Sequence, residues 1–279
     1  MKLSAAEIRR AVRAALAEDL GSGDATTLAT VPANATAKAV MRAREPLVVA
    51  GIQFAEIAFR ELSSKIKIQK LFHDGQRANR GETLLKISGS ARAILSAERV
   101  ALNFVQRLSG IATLTAQFVD AIKGTRAKIL DTRKTTPGWR RFEKYAVACG
   151  GGKNHRLGLF DMVLIKDNHL ASVDGDVGLA VYRARDLAPP GTKVEVECER
   201  IEQVQAALEA RADIIMLDNM STAQMKECVE LVAGRAITEA SGGVNLDSVR
   251  AIAETGVDWI SVGALTHSAP ALDLALDFE

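Results

Sequence analysis

Between residues 128 and 262 short apolar runs alternate with amphipathic helical patterns, and this regularity limits the fold more than any other feature of the chain. The runs fall at 128–131, 162–166, 194–198, 213–217, 236–239 and 259–262, with helical patterns such as 201–210 and 246–254 between them. They are apolar on both faces, as a strand is when helices cover its sheet on both sides. Strand and helix in this alternation specify a parallel sheet, closed or nearly closed into an α/β barrel. The repeat is one of elements, not of sequence.

The first hundred residues follow a different grammar. Ser4 followed by Glu7 is a capping-box pattern, and Ile8, Val12, Leu16 and Leu20 recur at helical spacing until Gly21. From about residue 37 the period becomes two, with Ala39, Met41 and Ala43 against Lys38, Arg42 and Arg44, and Ile66 and Ile68 against Lys65 and Lys67. A helix is expected around 54–62, turns at His73-Asp74-Gly75 and Arg80-Gly81, and two helices at 91–109 and 112–122. The expectation is an α/β chain of two domains, the first over residues 1–108 and the barrel over 109–267.

Composition removes several functions. The 36 Lys and Arg against 34 Asp and Glu are too balanced for a protein that coats nucleic acid or an anionic membrane. Cys149, Cys198 and Cys228 are widely spaced and contain no C-x-x-C, so neither a disulfide framework nor a thiolate zinc site is suggested. No run reaches the ~18 apolar residues of a membrane span. Glu7, Arg9, Arg10 and Arg13 stand where a signal peptide would be apolar. A cytoplasmic protein is expected.

In a barrel, chemistry sits where strands end, and here those ends are polar. They read Asp131-Thr132-Arg133-Lys134, Lys166-Asp167-Asn168-His169, Glu195-Val196-Glu197, Asp218-Asn219, Ser241-Gly242-Gly243 and Gly263-Ala264. Residues 131–169 hold eight Lys or Arg and four Asp or Glu, a local excess that would draw a small polyanion. Arg140, Arg141 and Lys144 fit either a solvated helix face or that function. Arg133, Lys134, Arg156 and Lys166 adjoin strand ends or glycine loops, and together offer forked and point-like cations to carboxylate and phosphate. Gly242, Gly243 and Gly263 let backbone N–H groups approach a phosphate. Glu197 and Asp218 can hold Mg²⁺ through ribose or phosphate oxygens, stabilise a developing cation, or simply pair with the cations. His155 and His267 are candidate ligand contacts, and no His, Asp or Glu cluster has the spacing of a zinc site.

The strings DTRKTTPG (131–138), KYAVACGGGKNHRLGLFDMVLIKDNH (144–169), VEVECE (194–199), IIMLDNM (214–220), EASGGV (239–244) and ISVGALTHSAPALD (260–273) resemble the quinolinate phosphoribosyltransferase family. EDLGSGDATT (18–27) and ERVALNFVQRLSGIAT (98–113) resemble its first domain and crossover. The resemblance implies an N-terminal α/β sandwich, which the C-terminal tail 268–279 rejoins, an open TIM-like α/β barrel, and a homodimer. It implies a pentosyltransferase that converts quinolinate and 5-phosphoribosyl 1-diphosphate, with Mg²⁺, to nicotinate mononucleotide, diphosphate and carbon dioxide in de novo NAD synthesis.

By the same resemblance Arg133, His155 and Arg156 would contact quinolinate carboxylates, with Arg99 supplied by the partner subunit. Lys134 and Lys166 match basic residues facing diphosphate and substrate, Glu197 and Asp218 ribose and metal carboxylates, and Ser241, Gly242, Gly243, Gly263 and His267 phosphate loops. Three other readings stand beside this one: the related molybdenum-transport-associated branch of the same fold, a Schiff-base enzyme using Lys166, and a phosphometabolite-binding module without turnover.

Overall fold

Ser4 Oγ accepts the Glu7 backbone N–H at 3.2 Å while the Glu7 carboxylate takes the Ser4 N–H at 2.9 Å, so the reciprocal cap read from sequence starts α1 (Ala5–Leu20). A computed structural model describes residues 1–279. It divides the chain into two compact units, one built from 1–116, 141–151 and 268–279, the other from 117–140 and 152–267.

In the first unit α1 is followed by α2 (Ala25–Thr30), β1 (Thr36–Ala43), β2 (Leu47–Val48), α3 (Ile52–Leu62), β3 (Lys67–Lys70), β4 (Arg77–Ala78), β5 (Thr83–Ser90) and α4 (Ala91–Ala121). An antiparallel sheet has the order β12-β1-β5-β3, where β12 (Leu274–Phe278) is the last strand of the chain and pairs Leu276 with Met41. Met41, Leu85 and Ile87 of this sheet are buried, as are Ile8 and Val12 of α1 and Phe54 of α3, and α1 packs against α3. Phe54 stacks on Phe104 at 4.8 Å and meets Phe142 edge-on at 5.2 Å. Asp74, in the turn seen in sequence, caps α3 by accepting the Gly51 and Ile52 N–H groups, and also takes the Tyr145 hydroxyl at 2.7 Å.

Two sequence readings change here. Residues 91–121 form one helix, not two, because Gly110 does not end it. A Cβ at Gly110 would fall 1.8 Å from the Pro270 carbonyl, so this glycine serves a close approach of backbone. The basic run is also no solvated face: in α5 (Arg140–Cys149) Glu143 and Lys144 are fully buried. Arg107 ion-pairs with Glu143 at 2.9 Å, and Arg141 with Glu7 at 2.5 Å.

The second unit contains β6 (Lys128–Leu130), β7 (Val163–Ile165), α6 (Asp167–Ala171), α7 (Val177–Leu187), β8 (Val194–Cys198), α8 (Ile201–Glu209), β9 (Ile214–Asp218), α9 (Thr222–Val232), β10 (Ile237–Ser241), α10 (Val249–Glu254), β11 (Trp259–Ser261) and α11 (Ala264–His267). All six strands run parallel in the order β6-β11-β10-β9-β8-β7. Strands β6 and β7 do not pair, so the barrel is open, as expected. Lys153 bridges to β6 on its free side, donating to Ile129 O at 2.8 Å. Central β8 and β9 are buried along almost their whole length, β9 as a near-continuous apolar run and β8 as valines alternating with Glu195 and Glu197. All three thiols are pushed up by burial, Cys198 to about 12, which leaves them inert.

Replacing Gly110 with alanine is expected to destabilise the first unit by about 1–3 kcal/mol or more through overpacking. A urea titration checks this as a lowered midpoint with an unchanged slope.

Candidate active site

Parallel pairing brings the carboxyl ends of all six strands to one edge of the sheet, and there a cavity of about 790 Å³ opens. Arg133 and Lys134 enter it after β6, His155 and Arg156 from the segment beside Lys153, and Lys166 after β7. Glu197 comes from β8, Asp218 from β9, Ser241, Gly242 and Gly243 from the end of β10, and Gly263 and His267 from the end of β11. Arg140, Arg141 and Lys144 do not line it, and neither does Arg99. Arg99 lies on α4, its side chain 69% exposed and 3.7 Å from Glu98.

The cations are of two kinds. Lys166 Nζ lies 2.7 Å from Glu197 Oε2, and an amine held in an ion pair is a poor Schiff-base nucleophile. Arg156 donates to Met162 O at 3.1 Å. Burial, followed by the like charge of Arg133, pushes the Arg156 guanidinium down from its usual value. The buried Arg133 Nε has no hydrogen-bond partner. Two crowded guanidiniums, one with an idle donor, form a site whose electrostatic cost an anion would relieve.

Opposite them the glycine loops make room. Asn219, at φ 53°, donates its backbone N–H to Ser241 O at 2.9 Å and its side-chain amide to Asp218 at 2.7 Å. A Cβ on Gly242, whose φ is 99°, would lie 2.2 Å from Asn219 Oδ1, so no other residue fits that turn. Gly263 lies under Lys134 and His267, with a hypothetical Cβ 3.1 Å and 3.2 Å from their side chains. Thr266 Oγ donates to Lys134 O at 2.7 Å and fixes that loop.

Sequence reasoning missed the acids deeper in the barrel. Alternate residues along a strand share a face, so Glu195 follows Glu197 inward and Glu239 follows Ser241. Both are fully buried, and His155 Nε2 lies 3.2 Å from Glu195 Oε2 and 3.3 Å from Glu239 Oε2. A His, Asp or Glu cluster therefore does exist, assembled from residues whose chain separation hid it. The period-two string Glu195-Val196-Glu197 was the available signal. Burial disfavours the imidazolium, but hydrogen bonds to Glu195 and Glu239 and their charges outweigh it and hold His155 up to about 10. Burial and then the charge of Glu239 raise Glu195. His155 is thereby held protonated through neutral pH.

Fold and cavity together define an α/β-barrel enzyme for a substrate carrying both carboxylate and phosphate. The family comparisons make this particular. The model for the quinolinate phosphoribosyl transferase N-terminal domain matches residues 24–109, and that for the C-terminal domain matches 111–277. The chain belongs to the quinolinate phosphoribosyltransferase family. It is 46% identical to the nicotinate-nucleotide pyrophosphorylase [carboxylating] of Mycobacterium leprae, covering 96% of each chain. It is 44% identical to the chloroplastic enzyme of that name from Oryza sativa, over 98% of this chain and 78% of the relative. The crystal structure of NadC from Streptococcus pyogenes superposes with a TM-score of 0.96 at 42% identity, covering 100% of this chain and 99% of that one.

A histidine held above its usual value of 6.5 binds its proton more tightly in the folded state, so its stabilising contribution is complete below pH 6.5 and lost as pH rises towards 10. The stability difference between the protein and a His155→Asn variant, measured by urea unfolding, is expected to shrink across that window.

Proposed function

We propose that the protein is a decarboxylating quinolinate phosphoribosyltransferase, a pentosyltransferase of de novo NAD synthesis. It joins quinolinate to 5-phosphoribosyl 1-diphosphate and yields nicotinate mononucleotide, diphosphate and carbon dioxide. The observation that carries this reading is the pairing of half-buried Arg133, whose Nε lacks an acceptor, with half-buried Arg156 in one cavity with Glu197, Asp218 and two glycine loops. A pyridine dicarboxylate fits the first group, and a phosphorylated sugar that develops positive charge fits the second.

The chemistry follows from placement. Lys134 and Lys166 hold the diphosphate as it leaves the ribose, and Glu197 and Asp218 stabilise the positive charge left on the sugar ring. Arg133 and Arg156, with His155 beside them, orient the two carboxylates so that the ring nitrogen faces the sugar carbon. Once ribosylated, the nitrogen is cationic and the adjacent carboxylate departs as carbon dioxide. Its electron pair stays on the ring carbon, which takes a proton with Lys134 or Lys166 nearby.

Glu197 and Asp218 are hard oxygen donors on neighbouring strands, the donor set Mg²⁺ prefers, and they would hold it together with diphosphate oxygens. When bound, the ion supplies charge neutralisation to the leaving diphosphate. Arg99 is assigned to the neighbouring active site of a homodimer, a reading supported by its exposure and its distance in sequence from every cavity residue. No helix is long and apolar enough to cross a membrane, and the three free cysteines suit a reducing cytoplasm.

The deciding assay follows carbon dioxide and nicotinate mononucleotide together from quinolinate, 5-phosphoribosyl 1-diphosphate and Mg²⁺, with nicotinate as the control acceptor. Equal release from quinolinate and none from nicotinate is expected; turnover of neither substrate would reject the reading. Arg133→Ala is expected to raise the quinolinate KM roughly thirtyfold, since a charge-assisted hydrogen bond is worth about 2 kcal/mol. Glu197→Gln should instead lower kcat about a hundredfold, a loss felt in the transition state.

A further inference from the structure

Arg140 opens α5, at the end of a helix where a cation is unfavourable because the first backbone N–H groups already carry partial positive charge. Its neighbour Arg141 is compensated by Glu7, but the acceptors of Arg140 are all uncharged. Nε donates to Thr135 Oγ at 3.0 Å, Nη1 to Leu157 O at 3.1 Å, and Nη2 reaches Arg133 O at 3.5 Å. The side chain is half-buried and takes no part in lining the cavity. Helix stability does not account for this arginine, whereas its contacts do.

Those acceptors belong to two separate stretches of chain. Thr135 and the Arg133 carbonyl are in the loop after β6 that sends Arg133 and Lys134 into the cavity, and Leu157 directly follows Arg156. Buried Asp131 ties the starts of the same two stretches together, accepting from the Asn154 amide at 2.6 Å and the His155 N–H at 2.9 Å. Arg133 and Arg156 therefore each lie, along the chain, between two cross-links, one made by Asp131 and the other by Arg140. Thr266 separately holds the Lys134 carbonyl, and Asp161 accepts the Leu157 N–H at 2.7 Å.

The bracket opposes a real force. The like charges of Arg133 and Arg156 press on each other, and unrestrained loops would part to relieve them. A planar guanidinium offers donors in fixed directions and can bond two chains at once, which a lysine ammonium on a flexible stem does poorly.

We propose that Arg140 is a positioning residue for the substrate carboxylates: by bonding Thr135 and Leu157 with one guanidinium it fixes the spacing of Arg133 and Arg156. This rests on the quinolinate reading of the cavity. Arg140→Ala is expected to raise the quinolinate KM about tenfold and leave the phosphoribosyl diphosphate KM within about twofold, since Thr266 still holds the Lys134 backbone. Arg140→Lys keeps the charge without the fork and should still raise the quinolinate KM at least about fourfold. Thr135→Val removes a single acceptor and should raise it about threefold. In an Arg133→Ala background, Arg140→Ala should cost at most about threefold more, because a spacing that has already lost one member cannot be lost again.

Equal rises in both KM values, full rescue by lysine, or a further tenfold loss on top of Arg133→Ala overturns the proposal. Thermal midpoints identify a variant that has unfolded, and Thr135→Val then carries the test. Amide hydrogen exchange needs no substrate: Arg140→Ala should quicken exchange at residues 132–136 and 155–158 at least about fivefold while β8 and β9 keep wild-type rates. Unchanged exchange in the two loops refutes the bracket. Wild-type protein inactive on quinolinate would reject the reaction and leave that exchange result standing.

Discussion

Because β6 to β11 all run parallel, their carboxyl ends share one edge, and every polar strand end in this half of the chain is delivered to the same cavity. The two-residue alternation of a strand then sorts those residues by depth. Glu197 and Ser241 stand at the mouth, and Glu195 and Glu239 lie one step further in. Met216, paired with both Glu197 and Glu239, is the apolar neighbour between them. Slipping one strand by a single residue would turn its acid outward among the covering helices.

The cavity is a place where charge is deliberately left incomplete. Arg133 keeps a buried donor without an acceptor, and its charge presses on Arg156. Lys166 and Glu197 neutralise each other in an ion pair. Such an arrangement costs the protein stability, and on the proposed reading bound anions of the right shape would recover that cost as orientation.

Backbone proximity is the other resource. Gly242 turns past Asn219 at a distance that leaves no space for a side chain, and Gly263 passes in tight contact beneath Lys134 and His267. In the first unit Gly110 does the same for the Pro270 carbonyl, and the helix continues through it. The same residue type thus marks a cavity-lining loop in one place and a packing contact in another. Sequence alone showed which glycines followed strands, and so which ones were loops, but not what approached Gly110.

Local periodicity, caps and strand-end polarity are short-range properties, and they determined the capped first helix, the parallel βα unit and the chemical character of the mouth. Arg133, Lys134, Arg156, Lys166, Glu197 and Asp218 were legible because polar residues at the ends of apolar runs have few other reasons to be there. The meeting of His155 with Glu195 and Glu239, the burial of Lys144 and the uninterrupted helix through Gly110 were decided by tertiary structure. Each depends on which distant segments come within a few ångströms of one another. A local pattern fixes which way a side chain faces along its own element, whereas packing fixes what it finds there.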